Sequence, residues 1–412
     1  MLIEIHAIQN HSPANLNRDD LGAPKTCFFG GVLRSRISSQ CLKHSIRKSD
    51  EFEQLRGFRT RRLAQLIAES GPDSDEFKKA FSILEICGIA PKEKRSKKGN
   101  DEDAASEDRS AGAVFVTKHA VREMAQLLKA NTGKSSRELA KQFAAIIARQ
   151  TNSPDMALCG RMLEPKKAKK GGTAEGEESQ VPDVWKGLRT TVHAALQAAH
   201  AISTHEARPE VDYYVAADDV PGDDAGAAFV DESVFGSACF YKYFSIDFDT
   251  LIENLEGNKE LAAHTLGAFI RAAALVNPTG KQNSFAAHNP PDGILIEIRK
   301  SPLSYANAFA RPAAPQCERD LISQSIAQLA QYVHDMDTGY GRPTKRFWFS
   351  PNLRHPLAAS VRQVEDGKER LCEILLADDS IKSLDELVSA VVKETGHDWE
   401  EVRNVLINVE VA

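Results

Sequence analysis

Residues 17–48 read NRDDLGAPKTCFFGGVLRSRISSQCLKHSIRK, and the rest of the chain is organised around them. Between Leu21 and Ser49 there are six Lys or Arg (Lys25, Arg34, Arg36, Lys43, Arg47, Lys48) and no Asp or Glu, in a protein of formal net charge −6. A cationic island in an acidic chain calls for an anionic ligand. Phe28-Phe29-Gly30-Gly31 is a turn signal, because paired glycines reach positive φ and admit close backbone approach. Arg34 and Arg36 follow at strand alternation, and Ser38 or Ser39 stands where a helix N-cap belongs. From Gln40 the period becomes helical: Leu42 and Ile46 share one face, and Gln40, Lys43 and Arg47 fall on the opposite one. A glycine turn feeding a helix N-terminus and a cationic stripe suits a phosphate backbone. Single-stranded nucleic acid is its natural form. On pattern alone, a solvated amphipathic helix after a loop accounts for the same residues.

Working outward, 412 residues suffice for one large domain with insertions or for two to three small ones. Hydrophobic content of 42% with 27% charged residues is that of a globular protein. The pI of about 6.1 argues against a generally cationic nucleic-acid binder, so binding must come from local patches. The sequence has no apolar run of the ~20 residues that a membrane span needs. MLIEIHAIQN lacks the basic flank and cleavage site of a signal peptide, so a cytoplasmic location is expected. The seven cysteines (27, 41, 87, 159, 239, 317 and 372) are scattered, without a Cys-x-x-Cys pair, and read as reduced thiols.

The segments HSPANLNRDD (11–20), FFGG (28–31) and RSRISSQCLKHSIRKS (34–49) resemble the N-terminus of the CasC family, the backbone subunit of the type I-E CRISPR surveillance complex Cascade, within the RAMP superfamily. The resemblance resumes at LCGRM (158–162), AISTH (201–205), DYY (212–214) with Asp218-Asp219, FYKY (240–243), KQNSFAAHNP (281–290) and PLSYANAF (302–309), and fades beyond Gly341. It implies an α+β fold: a ferredoxin-like, modified RNA-recognition-motif palm (1–51 and 190–345), helical fingers inserted at 52–189, a β-hairpin thumb at 208–237 and a C-terminal segment at 346–412. It also implies a non-catalytic protein with no metal or cofactor that binds crRNA, meets target DNA through the guide, lines up with copies of itself in a helical filament and joins other Cascade subunits, away from membranes. Carried onto this sequence, the RNA-binding residues are Arg18, Lys25, Arg36, Ser38, Gln40, Lys43, His44, Arg47, Arg161, Met162, Lys281, Gln282 and Asn283. Asp19 and Asp20 supply the alternative. Paired acids beside a cationic patch can hold a divalent metal, and RAMP relatives in type III complexes cleave RNA with a loop aspartate. They serve equally as loop hydrogen-bond acceptors.

In chain order, LIEIHAI (2–8) reads as a first strand broken by His11-Ser12-Pro13. Helical patterns are expected over 52–70, 75–87, 116–130, 136–149, 192–202, 261–276, 320–336 and, interrupted near Gly396, 384–411. Charged blocks at 92–109 and 166–180 can bury nothing and are expected to be exposed loops. In 155–162, Arg161 is suited to phosphate and Met162 to a base face. Strands are expected at 212–215 and 234–243, flanking an acidic Pro/Gly-rich arm, then at 240–248 and 293–299. Tyr241 and Tyr243 are candidates for stacking on RNA, with a place in the core the other reading of aromatic residues in a strand.

Overall fold

The structure, a computed structural model, describes residues 1–89, 113–131, 133–166, 181–216, 229–317, 319–365, 368–378 and 380–403. The charged blocks therefore lie outside the described residues, apart from Lys166, as do the tip of the expected thumb and the end of the last helical pattern. The chain divides into two compact units: 1–53 with 196–249 and 260–412, and 54–195 with 250–259. The first begins with β1 (Leu2–Ala14), β2 (Thr26–Phe29), β3 (Val32–Ile37) and α1 (Ser39–Arg47). The second holds β4 (Phe58–Thr60), α2 (Leu63–Ala68), α3 (Asp75–Ile86), β5 (Val114–Val116), α4 (Lys118–Ala130), α5 (Ser136–Arg149), α6 (Pro154–Cys159), β6 (Arg161–Met162) and β7 (Thr191–Val192). The chain continues with β8 (Leu196–Ala198), β9 (Ala201–Ser203), β10 (Glu210–Ala216), β11 (Phe229–Asp247), α7 (Phe248–Asn254), α8 (Lys259–Leu275), α9 (Gln282–Phe285) and β12 (Gly293–Arg299). It closes with α10 (Leu321–Tyr340), β13 (Lys345–Phe349), β14 (Ala358–Glu365), β15 (Lys368–Leu375) and α11 (Leu384–Lys393).

The first unit is built on a nine-stranded antiparallel sheet in the order β13-β12-β1-β11-β9-β3-β2, with β8 and β10 also pairing with β11. β1 sits centrally, Leu2 lying opposite both Asp247 and Arg299. Both of its faces are covered, which is why LIEIHAI is apolar without strict alternation. On one face Tyr241, Leu295 and Trp348 pack against Ile326, Leu329 and Val333 of α10. On the other, Phe244 meets Phe269 of α8 edge-on, with centroids 5.3 Å apart. Tyr241 is buried, its hydroxyl accepting from the Tyr305 amide at 2.9 Å, so it stacks inside the protein and not on a ligand.

The same face holds a buried ionic cluster. Glu297 accepts from Arg299 Nε and Arg346 Nε, each at 2.6 Å, and from the Tyr305 hydroxyl at 2.7 Å. Arg346 also grips Asp337 at 2.7 and 2.8 Å. β13 pairs with β12, Ile294 opposite Phe349, so residues 345–349 form an edge strand of the main sheet, while β14 and β15 make a separate two-stranded sheet.

Several elements differ from the sequence expectation. β1 does not stop at Ile8. β11 offers it a partner as far as Gly236, and Pro13 falls in the register shift between His11 and Ala14, where a missing N–H costs no ladder bond. Residues 192–202 form strand instead of helix, since Leu196–Ala198 have Phe244–Ile246 to pair with and Ile202 lies between Arg36 and Tyr241. Those partners override the modest helix preference of alanine. The pattern over 52–70 splits into a 3₁₀ turn, β4 and α2, because Gly57 meets the Val116 carbonyl so closely that an added Cβ would stand 2.5 Å from its oxygen.

In the second unit α3, α4 and α5 start where capping chemistry directs, at Ser74, Thr117 and Ser135, the last with a full capping box to Glu138. Their apolar faces enclose Ile67, Phe77, Ile83, Met124, Leu139, Phe143 and Ile147. Among the described residues no helix is long and apolar enough to cross a membrane.

The last turns, helical over 399–403, bring Trp399 onto α8, where a Cβ on Gly267 would lie 2.1 Å from the indole. Gly267→Ala is therefore expected to destabilise the first unit by about 1–3 kcal/mol, read as a lower urea midpoint. Adding Trp399→Leu should recover part of the loss. An unchanged midpoint in the single variant would show that the contact yields.

Candidate nucleic-acid interface

The β2–β3 hairpin turns on Gly30 and Gly31, at φ 61° and 81°, the two-residue turn with both centres left-handed that glycine permits. Gly30 also has to be glycine because a Cβ would collide with the Ala310 carbonyl. β3 leads straight into α1. The Ser38 hydroxyl accepts from the Cys41 amide at 3.2 Å, and the Ser38 amide donates to Asn17 Oδ1 at 2.9 Å. Ser38 is thus a buried cap that sets the helix direction, its hydroxyl already engaged. Leu42 and Ile46 are buried, Gln40 and His44 are exposed, and Lys43 and Arg47 are half-buried on the outward side.

The loop before the hairpin is held from within. Asp19 Oδ1 accepts from the amides of Leu21 and Ala23, both at 2.9 Å, and the Lys25 amide donates to the Asn17 carbonyl at 2.8 Å. Arg18 and Asp20 are left pointing to solvent. Arg36 donates to His200 Nδ1 at 3.0 Å. Burial, with the Arg36 and Lys25 charges, holds His200 below the ordinary imidazole range, so its lone pair is free to accept. Phe28 is 80% exposed on β2, an aromatic face beside these cations of the kind on which bases stack.

The second stretch joins the first by backbone packing. A Cβ on Gly280 would stand 2.4 Å from the Leu16 carbonyl oxygen, so glycine lets the loop after α8 lie against the loop after β1. Lys281, left-handed at φ 46°, donates to the Ser233 hydroxyl at 2.7 Å. Gln282 Nε2 is spent on the Pro278 and Ala287 carbonyls, and Asn283 is exposed. Between the two loops and α1 runs an open cleft of about 520 Å³, lined by Arg18, Asp19, Asp20, His44, Thr279 and Gly280 among others. Beneath the loop after α8, burial and the Lys242 ammonium push the His11 imidazole down to about 3, and burial pushes Lys242 down to about 8. His11 is therefore neutral at physiological pH.

One unit thus assembles Arg18, Lys25, Arg36, Gln40, Lys43, His44, Arg47 and the 281–283 loop from segments far apart in sequence. Two cations are corrections to the sequence reading. Arg34, counted in the cationic island, is wholly buried, its guanidinium donating to the carbonyls of Phe29, Ser203 and Phe309. It ties the hairpin to the sheet. Arg161, in the second unit, is 4% exposed and donates to the Ile147 carbonyl at 2.8 Å, so its guanidinium is not offered to a phosphate. Met162 beside it is 77% exposed. Asn17, His200 and Ser233 were missed, because each acquires its role from a partner distant in sequence that no local pattern signals.

The model of the CT1975-like protein family matches residues 3–175 and 184–375. A chain of the solved structure described as "CRISPR RNA-guided surveillance complex, pre-nicking" is 26% identical, covering 96% of this chain and 100% of that one, with a TM-score of 0.68. A second, described as "CRISPR RNA-guided surveillance complex", is 22% identical over 96% and 99% with a TM-score of 0.54 and speaks for the fold alone. No curated protein matches the sequence. With the family model spanning nearly the whole length and both sequence and fold likeness running in parallel, the chain belongs to the CT1975-like protein family.

Proposed function

We propose that the protein is a non-catalytic crRNA-binding backbone subunit of a type I-E CRISPR surveillance complex, acting in the cytoplasm. The observation that carries this is the gathering of Arg18, Lys25, Arg36, Lys43 and Arg47 with the Lys281–Asn283 loop on one unit of an otherwise acidic protein. The full-length likeness to a chain of an RNA-guided complex supports it. In this reading the nine-stranded sheet is a modified RNA-recognition-motif palm, β10 with the first part of β11 is the thumb, and the second unit is the fingers. The cations grip sugars and phosphates and leave the base edges for pairing with target DNA, so that sequence is read by hybridisation and the protein reads shape and charge. Copies join head to tail without closing a ring, giving a helical filament whose length the RNA sets. The other Cascade subunits cap or flank it.

A metal-dependent RNA endonuclease built on Asp19 and Asp20 is the second reading. The two backbone N–H bonds that Asp19 accepts give it a sufficient structural task as the organiser of its loop. Mixing purified protein with guide-length RNA and Mg²⁺, then measuring complex mass and RNA integrity, separates the two. The scaffold reading requires a multi-copy complex on intact RNA. Cleavage that disappears in Asp19→Asn or Asp20→Asn would establish the nuclease, and a single copy per RNA would sink the filament.

A further inference from the structure

His200, which no local pattern in the sequence singles out, is an exposed imidazole set among the guide-site cations. It sits in the turn between β8 and β9, and backbone bonds fix that turn. The Ala199 amide donates to the Tyr243 carbonyl of β11 at 3.0 Å, and β9 pairs with β3, Ile202 opposite Arg36. The Arg36 amide donates to the Lys25 carbonyl at 2.8 Å. Lys25, Arg36 and His200 are thus gathered by backbone alone, before any ligand arrives.

His200 Nδ1 lies 3.0 Å from Arg36 Nη1. A guanidinium only donates, so Nδ1 carries the lone pair and the ring proton is on Nε2. Other basic side chains of this unit have acids for company: Arg271 reaches Glu51 at 2.8 Å, and Arg346 reaches Asp337 at 2.7 Å. Around His200, among the described residues, the charges that act are Arg36 of β3 and Lys25 of the loop before β2, and neither β11 nor the turn supplies a carboxylate. Two cations oppose a third, which keeps the ring neutral and ties one Arg36 donor to it.

A polyanion reverses that balance. Phosphate laid against Lys25 and Arg36 offsets their charge and favours the imidazolium, as a neighbouring opposite charge does for any base. A proton from solvent then goes onto Nδ1 and the hydrogen bond from Arg36 breaks. Arg36 Nη1 and His200 Nδ1 both become donors free to meet phosphate oxygens. We propose that His200 is a further ligand of the guide's phosphates, and that the guide is taken up together with a proton at its imidazole. The proposal rests on the guide-binding reading and adds to it a residue and a chemical linkage.

Full-length wild type, His200→Gln and His44→Gln are titrated with labelled guide-length single-stranded RNA from about pH 8 to about pH 5.5, the span in which imidazole titrates. Several salt concentrations are used, and circular dichroism follows the fold at each pH. His44→Gln is included because His44 is the other exposed imidazole among the guide-site residues named above. Calorimetry near pH 6.5, in two buffers of different ionisation enthalpy, reads the proton itself.

The expected wild-type result is affinity rising about 3- to 10-fold on acidification, the factor by which the imidazole's proton affinity differs between free and guide-bound protein. The log K against log salt slope becomes steeper by up to about 0.7 at the acid end, one further phosphate on a single strand. Wild type and His44→Gln take up a fraction of a proton per protomer, and His200→Gln loses both the uptake and the pH response. Flat wild-type affinity with RNA bound at every pH overturns the proposal and leaves the guide reading standing. So does a pH response that survives in His200→Gln, and one lost in His44→Gln instead belongs to α1. Acid weakening of the fold is common to all three proteins, so the differences between them decide. A wild type that binds no RNA at any pH overturns the guide reading, and this proposal with it.

Discussion

Replacing Lys43 and Lys281 together by alanine lowers affinity for guide-length single-stranded RNA by at least about 10-fold, and the log K against log salt slope becomes shallower by about 1.4. Each lysine removed leaves one phosphate without its cation, worth about 0.7 in the slope for a single strand. Lys43 stands on the outward side of α1, away from the buried Leu42 and Ile46, and Lys281 is held in place by its left-handed backbone and the Ser233 hydroxyl. Neither side chain is buried, so thermal melting of the double variant should match the wild type. RNA titrations at several salt concentrations read both quantities. Unaltered affinity and slope would remove the two lysines from the interface.

Glu297→Ala is the substitution expected to harm stability most. It leaves Arg299 and Arg346 buried without their shared carboxylate, and stranding a buried charge costs about 3–5 kcal/mol. Chemical denaturation should show that loss, with Glu297→Gln milder because it keeps the shape and some of the hydrogen bonds. The cluster also sets a pH dependence. Burial raises the Glu297 carboxyl, yet Arg346, His6 and Arg299 outweigh it and hold the group below its ordinary value. A depressed carboxylate stabilises above its unfolded value, and that contribution is lost as pH falls. His6, stacked against Tyr243 and pushed down to about 3 by burial, acts in the same direction from its ordinary 6.5 downward. The first unit should therefore weaken on acidification below about pH 6.5, and the Glu297→Gln variant should lose less between pH 5 and pH 3 than the wild type.

What the sequence made legible was whatever its local grammar contains. Gly30-Gly31 can only be a tight turn, Ser38 caps the helix that the spacing of Leu42 and Ile46 demands, and α5 follows its capping box to the residue. The outward placement of Gln40, Lys43 and Arg47 came from the same period. What escaped was decided by distant partners. Residues 192–202 look helical until β11 offers them a ladder. Arg34 and Arg36, two apart on one strand, meet different surroundings, and only the positions of Ser203, Phe309 and His200 say which guanidinium is interior. Arg161 looked like a surface cation because its burial depends on α5, whose Ile147 carbonyl it reaches.

The central position of β1 bears on biosynthesis. Its neighbours are among the later residues to be made: Tyr243, which reaches back to Glu4, comes 239 residues after it, and β12 comes later still. At ribosomal speeds of about 5–20 residues per second, an apolar ribbon with both edges open waits on the order of 10 to 50 s for its first neighbour. Nascent chains should thus depend on holding chaperones, and pausing before residue 229 should favour inclusion bodies over native protein.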